Sequence, residues 1–211
     1  MLLQIAVTGG LSSGKSSVCR FLGDLGAHVV SADQIVHSLL KSPKTKIGKQ
    51  VVDLLGLDIV IGDEISRQAV SNVVFANPAL LSELEAILHP AVREEVKRQF
   101  SILSAKEQSD DVDVKKLFVV EIPLLFEVEK EGGEKRGDHF DYTVAVIASE
   151  SACQERFMTK MGLTLEDFRN RTARQLPPEV KKMRADYTIE NNGNLNDLRL
   201  AVEKLYRTLY S

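Results

Sequence analysis

The stretch Gly9-Gly10-Leu11-Ser12-Ser13-Gly14-Lys15-Ser16 constrains this chain more than any other. It fits G-x-x-x-x-G-K-[ST], and its flanks fit as well. Leu2 to Val7 is short, apolar and β-prone, the pattern of a buried strand. Val18, Phe21, Leu22 and Leu25 then recur at helical spacing, and Gly26 supplies a stop signal. Strand, glycine-rich turn and helix together make an anion cradle. The glycines let the backbone curl so that successive N–H groups point at one anion, and the helix beginning near Lys15 adds its positive end. Lys15, expected on an exposed loop, would reach the β- and γ-phosphates of a nucleotide, and Ser16 would offer its hydroxyl to Mg²⁺.

A chain of 211 residues, 44% hydrophobic, suits one α/β domain with insertions. A net charge of −3 gives no global reason to bind nucleic acid or an anionic membrane, so an anionic substrate must be met by local basic clusters. No apolar run approaches the roughly 18 residues of a membrane helix. The N-terminal apolar stretch lacks a basic leader and runs straight into the phosphate loop, so it reads as a core strand, not a signal peptide. Cys19 and Cys153 lie far apart and form no CxxC pair; Cys19 reads as a small core residue. A soluble protein in a reducing, cytoplasmic compartment is expected.

Further along, Ala27 to Ala32 reads as a second strand and the residues from Asp33 as a helix. Ile47 to Leu55 reads as a helix stopped by Gly56, and Asp58 to Asp63 as a loop. Arg67 to Phe75, Pro78 to Leu88 and Pro90 to Leu103 read as three more helices. About eighty residues thus separate the second strand from the next, far more than an ordinary βα connection, which implies a helical insertion. Ser104 to Lys116 and Glu127 to His139 are charged and read as loops. Leu117 to Ile122, Tyr142 to Ala148 and Tyr187 to Glu190 are the remaining strands. Between the last two, Glu150 to Met161 is a helix ended by Gly162, and a second, with capping chemistry at Thr164 to Asp167, runs to about Gln175, where Pro177-Pro178 stops it. Asn191-Asn192-Gly193 is a turn before a final amphipathic helix, Leu195 to Leu209. The alternation implies a mostly parallel sheet with helices on both faces.

Asp33 stands at the carboxyl end of the second strand, the end from which the phosphate loop also leaves its strand, and where open α/β sheets gather ligands. It can take a proton from an attacking hydroxyl, help hold Mg²⁺, or simply cap a helix. His37 lies one turn on as a possible partner or rival base. Glu121 ends an apolar strand, as magnesium-organising acids do in phosphate-loop proteins. Pro123 to Phe126 is unusually apolar for a loop and is expected to wall a substrate, with packing under the insertion as the alternative. Arg156, Lys160, Arg169, Arg171, Arg174, Lys181, Lys182 and Arg184 form a basic cluster over a helix pair, suited to a closing lid that stabilises charge on a transferring phosphoryl group and excludes water.

Taken in order, GGLSSGKSSV, ADQIVH, LHPAVR (Leu88 to Arg93), EIPLLFE and ADYTIENNG resemble the dephospho-CoA kinase family, from residue 2 to about residue 205. The phosphate loop is shared by many enzymes; LHPAVR with IPLLFE is far more specific. The resemblance implies ATP-dependent phosphorylation of the ribose 3′-hydroxyl of dephospho-CoA, the last step of CoA synthesis. It implies a nucleoside-monophosphate-kinase-like α/β fold with a five-stranded parallel core (1–32, 117–150 and 186–211), a helical substrate-binding insertion (33–116) and a lid (151–185). By motif, Gly9, Gly10, Leu11, Ser12, Ser13, Gly14, Lys15, Ser16 and Ser17 hold the ATP phosphates. Asp33 is the base, Arg171 the lid arginine of R-x-x-x-Q (Arg171 to Gln175), and Asn191 to Gly193 lie near the adenine. No nucleic acid or membrane partner is expected, and the chain would be a monomer or weak homo-oligomer. It departs from the family at Ser31, where an acid is common, and at Lys160, where arginine would bind phosphate through two bonds. It departs also at Glu121, for a more usual Asp, and at Ser17, for Thr. A phosphate-loop kinase acting on a nucleoside, nucleotide or small alcohol would have no reason to carry LHPAVR and IPLLFE. For a GTPase-type switch, Asp53 to Gly56 does fit D-x-x-G, but within a helical pattern and with no N-K-x-D anywhere in the chain.

Overall fold

The computed structural model describes residues 1–75, 77–107, 116–127 and 139–210. In chain order its elements are β1 (Leu2–Gly9), α1 (Lys15–Asp24), β2 (His28–Ser31), α2 (Ala32–Leu39), α3 (Lys46–Leu55), β3 (Val60–Ile61), β4 (Glu64–Ile65), α4 (Arg67–Phe75), α5 (Pro78–Glu107), β5 (Lys116–Glu121), β6 (Tyr142–Ile147), α6 (Glu150–Met161), α7 (Leu165–Thr172), α8 (Pro178–Arg184), β7 (Tyr187–Glu190) and α9 (Leu195–Tyr210). They form two compact units, Met1–Val30 with Asp111–Ser211, and Ser31–Asp110.

The first unit is built on a five-stranded parallel sheet in the order β2-β5-β1-β6-β7. Central β1 sets Ile5 opposite Val119 and Tyr142, and Val7 opposite Glu121 and Val144. Such a strand is buried on both faces, which is why Ile5-Ala6-Val7 is continuously apolar. Leu3, Ile5 and Val7 face a cluster with Val18 and Leu22 of α1 and Leu198, Val202 and Leu205 of α9. Ala6 faces the other way, onto Leu125 and Phe126. This corrects the expected substrate wall at two of its four residues: Leu125 (0% exposed) and Phe126 (3%) are core residues packed on Ala6, while Pro123 and Leu124 are half-buried. Cys19 is likewise a core residue.

Two aspartates pin the starts of the strands. Gln4 N–H donates to Asp141 Oδ2 (2.7 Å) while Asp141 N–H donates to Gln4 O (2.8 Å). Asp186 Oδ2 accepts from both the N–H and the hydroxyl of Thr143 (2.7 Å each). Farther along, α7 carries the expected cap: Thr164 Oγ1 accepts from Asp167 N–H, and Asp167 Oδ2 accepts from the Thr164 hydroxyl and from its N–H, which together hold the Asp167 carboxyl below its usual range. It ends at Thr172, and Pro177-Pro178, expected only to stop a helix, begins α8, since proline suits a first helical turn.

The second unit packs α2, α3, α4 and α5 around Leu40, Val51, Ile59, Val70, Leu84 and Leu88. Three expectations are corrected in it. Residues 58–63 are not a loop: a 3₁₀ turn (Leu57–Ile59) leads into the β3–β4 hairpin, which buries Ile59 and Ile65. The helices expected either side of Pro90 are one helix, α5, running through the proline and through Ser104–Glu107. Buried Leu84 and Leu88 before Pro90, and Val96 after it, continue one apolar face and hold the helix together across the missing N–H. Helix α2 starts one residue early, with Ser31 Oγ accepting from Gln34 N–H (3.4 Å) as its cap, so Asp33 is not the cap. The rest of the two charged loops, 108–115 and 128–138, lies outside the described residues.

Asp186→Ala leaves the buried N–H and hydroxyl of Thr143 without their shared acceptor and is expected to cost about 1–3 kcal/mol. Asp186→Asn, which keeps one acceptor oxygen, costs less; thermal unfolding of the two variants beside wild type checks the order.

Candidate active site

The phosphate loop runs from the end of β1 into α1, and its shape is held from outside. Gly14 has φ 104°, which only glycine adopts without strain, and a Cβ there would also collide with Asn191 Nδ2. That amide donates to Ser13 O (2.8 Å). Asn191 is 7% exposed; its N–H donates to Ile147 O (2.8 Å) and its carbonyl accepts from Arg156 Nη2 (2.8 Å). A Cβ at Gly9 would run into Val146 O, so the loop begins pressed against β6. Ser12 sits at φ 57°, a left-handed conformation tolerated where neighbours enforce it. No side chain among the described residues caps α1, so the positive end of the helix faces the loop. Ser13 Oγ is buried and, among the described residues, unpartnered.

Lys15 is not the exposed loop lysine expected. It is the first residue of α1, 8% exposed, and its Nζ donates to Gly9 O (3.1 Å) and Gly10 O (2.7 Å). It is buried because it turns back over the curled loop, so its loss removes loop hydrogen bonds as well as charge. Ser16, exposed beside it, donates through Oγ to Glu121 Oε1 (3.0 Å) at the end of β5. The acid expected from the strand's end therefore meets the loop hydroxyl. Burial, with a smaller push from Glu121, raises the Cys19 thiol, in keeping with its place in the core.

The basic cluster divides. Lys181, expected among the lid cations, is 0% exposed and ion-paired to Glu127 (2.6 Å). Arg184 donates to Phe126 O (3.1 Å) and lies over the Phe126 ring, and Lys182 pairs with Glu190 (2.8 Å). Arg156 Nη2 is held by Asn191 O, while its Nη1 is buried and, among the described residues, unpartnered. Lys181 and Arg184 are structural because the short helix α8 packs them against the segment after β5; the Lys182–Glu190 pair is at the surface. Lys160, Arg169 and Arg171 are exposed, Arg171 with its guanidinium 5.7 Å from the centroid of Phe157. Gln175, at the end of R-x-x-x-Q, accepts from Leu11 N–H of the phosphate loop (2.9 Å). This contact and the Glu127–Lys181 pair were not legible from spacing. Their only sequence signal is a glutamate closing an apolar run and a glutamine closing the arginine motif.

Asp33 lies in the other unit, in the first turn of α2, exposed and with no hydrogen bond or ion pair to any described residue. His37 is exposed in the last turn of the same helix.

A family model described as dephospho-CoA kinase matches residues 3–197. The dephospho-CoA kinase of Protochlamydia amoebophila is 42% identical over 208 residues, covering 99% of this chain and 97% of its own. Among solved structures, TT1252 from Thermus thermophilus matches with a TM-score of 0.77 at 30% identity, over 99% of this chain and 98% of that one. Dephospho-CoA kinase from Campylobacter jejuni matches with a TM-score of 0.69 at 26% identity, over 100% and 98%. With its phosphate loop, its acid at the end of β5 and a match along nearly its whole length, the chain belongs to the dephospho-CoA kinase family.

Proposed function

We propose that this chain performs its family's reaction, ATP-dependent phosphorylation of the 3′-hydroxyl of dephospho-CoA to give CoA and ADP, with the phosphate loop, Asp33 and Arg171 in the leading roles. The observation that carries the reading is the loop itself. Its backbone is curled around Gly14, braced by Asn191, and followed by an uncapped helix, with Lys15 folded over it. Residues Gly9 to Ser17 hold the ATP phosphates, with the unpartnered Ser13 hydroxyl among their donors. Lys15 lies close enough to the loop to neutralise charge on the transferring group. Asn191 contributes through the loop, and the adenine is placed beside 191–193 on the strength of the family resemblance.

The hard-oxygen pair Ser16–Glu121 fits Mg²⁺, which commonly takes few protein ligands and completes its shell with phosphate and water. When bound there, the ion would neutralise phosphate charge. Asp33 accepts the proton of the attacking 3′-hydroxyl; its exposure, and the lack of any partner among the described residues, leave the carboxylate available for that. Residues 33–116 would bind dephospho-CoA, 151–185 form the lid with Arg171 on the transferring group, and the remainder form the core. We place the enzyme in the cytoplasm as a monomer or weak homo-oligomer, with no nucleic-acid or membrane partner. No helix among the described residues is long and apolar enough to cross a membrane.

With Mg·ATP, ADP release should be far faster with dephospho-CoA than with AMP or adenosine; equal turnover of AMP would sink the substrate assignment. Asp33→Asn is expected to lower kcat by roughly 10²–10⁴ and to remove the acidic limb of the pH profile, with melting temperature nearly unchanged, because Ser31 caps α2. Full activity would make Asp33 a bystander, and a dead His37→Gln beside an active Asp33→Asn would move the base to His37. Glu121→Gln should raise the Mg²⁺ concentration needed for half-maximal rate, with much of the rate recovered at high Mg²⁺. An unchanged titration would remove Glu121 from the metal site.

A further inference from the structure

We propose that the buried Glu127–Lys181 ion pair is a positioning device that seats Gln175 against the phosphate loop. The inference rests on that loop being the nucleotide site. Three facts carry it. First, both charges are taken out of water, with side chains 6% and 1% exposed. A buried pair is poor value as a stabiliser, since well-packed apolar residues of similar volume often serve stability as well.

Second, the pair is tied to particular neighbours. Glu127 Oε1 receives both Lys181 Nζ (2.6 Å) and the N–H of Leu176 (3.0 Å), leaving Oε2 buried and unpartnered among the described residues. Lys181 Nζ also donates to Pro123 O (3.4 Å), which accepts as well from Thr8 Oγ1 (3.2 Å) near the end of β1. Third, Leu176 follows Gln175, so fixing the Leu176 N–H fixes the point from which the Gln175 side chain sets out. That side chain ends on Leu11 N–H (2.9 Å), inside the loop and outside any helix or strand. One carboxylate oxygen thus joins three segments: the run after Glu121, whose carboxylate holds Ser16; the connection from α7 to α8; and the second turn residue of the phosphate loop.

The function of such a join is placement. Leu11 N–H would otherwise turn to solvent, and the loop would gain a degree of freedom next to the transferring phosphoryl group. A misplacement of about 1 Å can cost roughly 10²-fold in rate. Neither Glu127 nor Lys181 is placed on substrate, so both are positioning residues acting through Gln175.

The test is a kinetic cycle on the full chain, with dephospho-CoA and Mg·ATP as substrates. Glu127→Gln with Lys181→Met removes both charges while keeping size, and Gln175→Met removes the acceptor while keeping length. We expect each variant to lose on the order of 10- to 100-fold in kcat, with KM for ATP within about threefold and little change in melting temperature. The triple variant should be no slower than the worse of the two. Gln175→Glu, which keeps an oxygen for Leu11 N–H, should recover part of the kcat lost in Gln175→Met. Losses that multiply in the triple variant would overturn the inference, as would a Gln175→Met enzyme within twofold of wild type. So would Glu and Met variants that behave alike, or a charge-free pair that cannot fold, since a pair that carries the fold is not a positioning device. Wild-type turnover of dephospho-CoA, measured in the same assay, tests the underlying reading separately; the variant-to-wild-type ratios test this one.

Discussion

The bond from Asn191 Nδ2 to Ser13 O closes 178 residues of sequence onto one turn of backbone. A phosphate loop is a run of backbone that must keep several N–H groups pointing inward while nothing in its own sequence pays for that arrangement. Gly14 permits the turn, but permission is not enforcement: glycine is also the residue with most freedom to lose. Enforcement comes from the asparagine that occupies the space a Cβ would take, and from Arg156, which holds the asparagine's own carbonyl. Strand β7 therefore has a function beyond completing the sheet, because it delivers Asn191 to the loop within one residue of its end. The parallel register of β7 on β6 and β6 on β1 sets how far along the sheet that delivery happens, and Asp141 and Asp186 fix strand starts in that same sheet.

Much of this was legible in the sequence because it is local. The five sheet strands, the loop, the α6 stop at Gly162 and the Thr164 cap are set by residues within a few positions of one another, and each falls where the pattern puts it. What was not legible is set by partners distant in sequence. Pro90 reads as a helix break because the proline is visible and the apolar face that overrides it is not. Leu125 and Phe126 read as a wall because a loop after a strand is ordinarily at the surface, whereas here Ala6 leaves a gap that they fill. Lys181 reads as one basic residue among eight in its neighbourhood; only its burial against Glu127 separates it from its neighbours.

The sorting of charge in the first unit follows the same logic. Cations close to the sheet are held on fixed acceptors: Lys181 on Glu127, Arg184 on Phe126 O, and Arg156, through Nη2, on Asn191 O. Those farther out on α6 and α7 are at the surface, where ion pairs contribute little and side chains keep their freedom. A basic cluster read from sequence is thus two populations, one that builds a rigid base and one that remains free to meet an anion.

Lys15 belongs to neither population. It is buried, and its Nζ donates to two neutral carbonyls of its own loop, Gly9 O and Gly10 O. A carbonyl dipole satisfies the ammonium's hydrogen-bonding geometry but does not cancel its charge, so the positive potential at the start of α1 persists and adds to the helix dipole. The nearby Glu121 is engaged with Ser16, one residue on. The loop therefore holds its cation in position by bonds weak enough for a polyphosphate to replace. An anion entering there finds the loop's donors already oriented. Preorganisation of this kind favours the state in which charge is greatest, and in phosphoryl transfer that charge is spread over the group in flight.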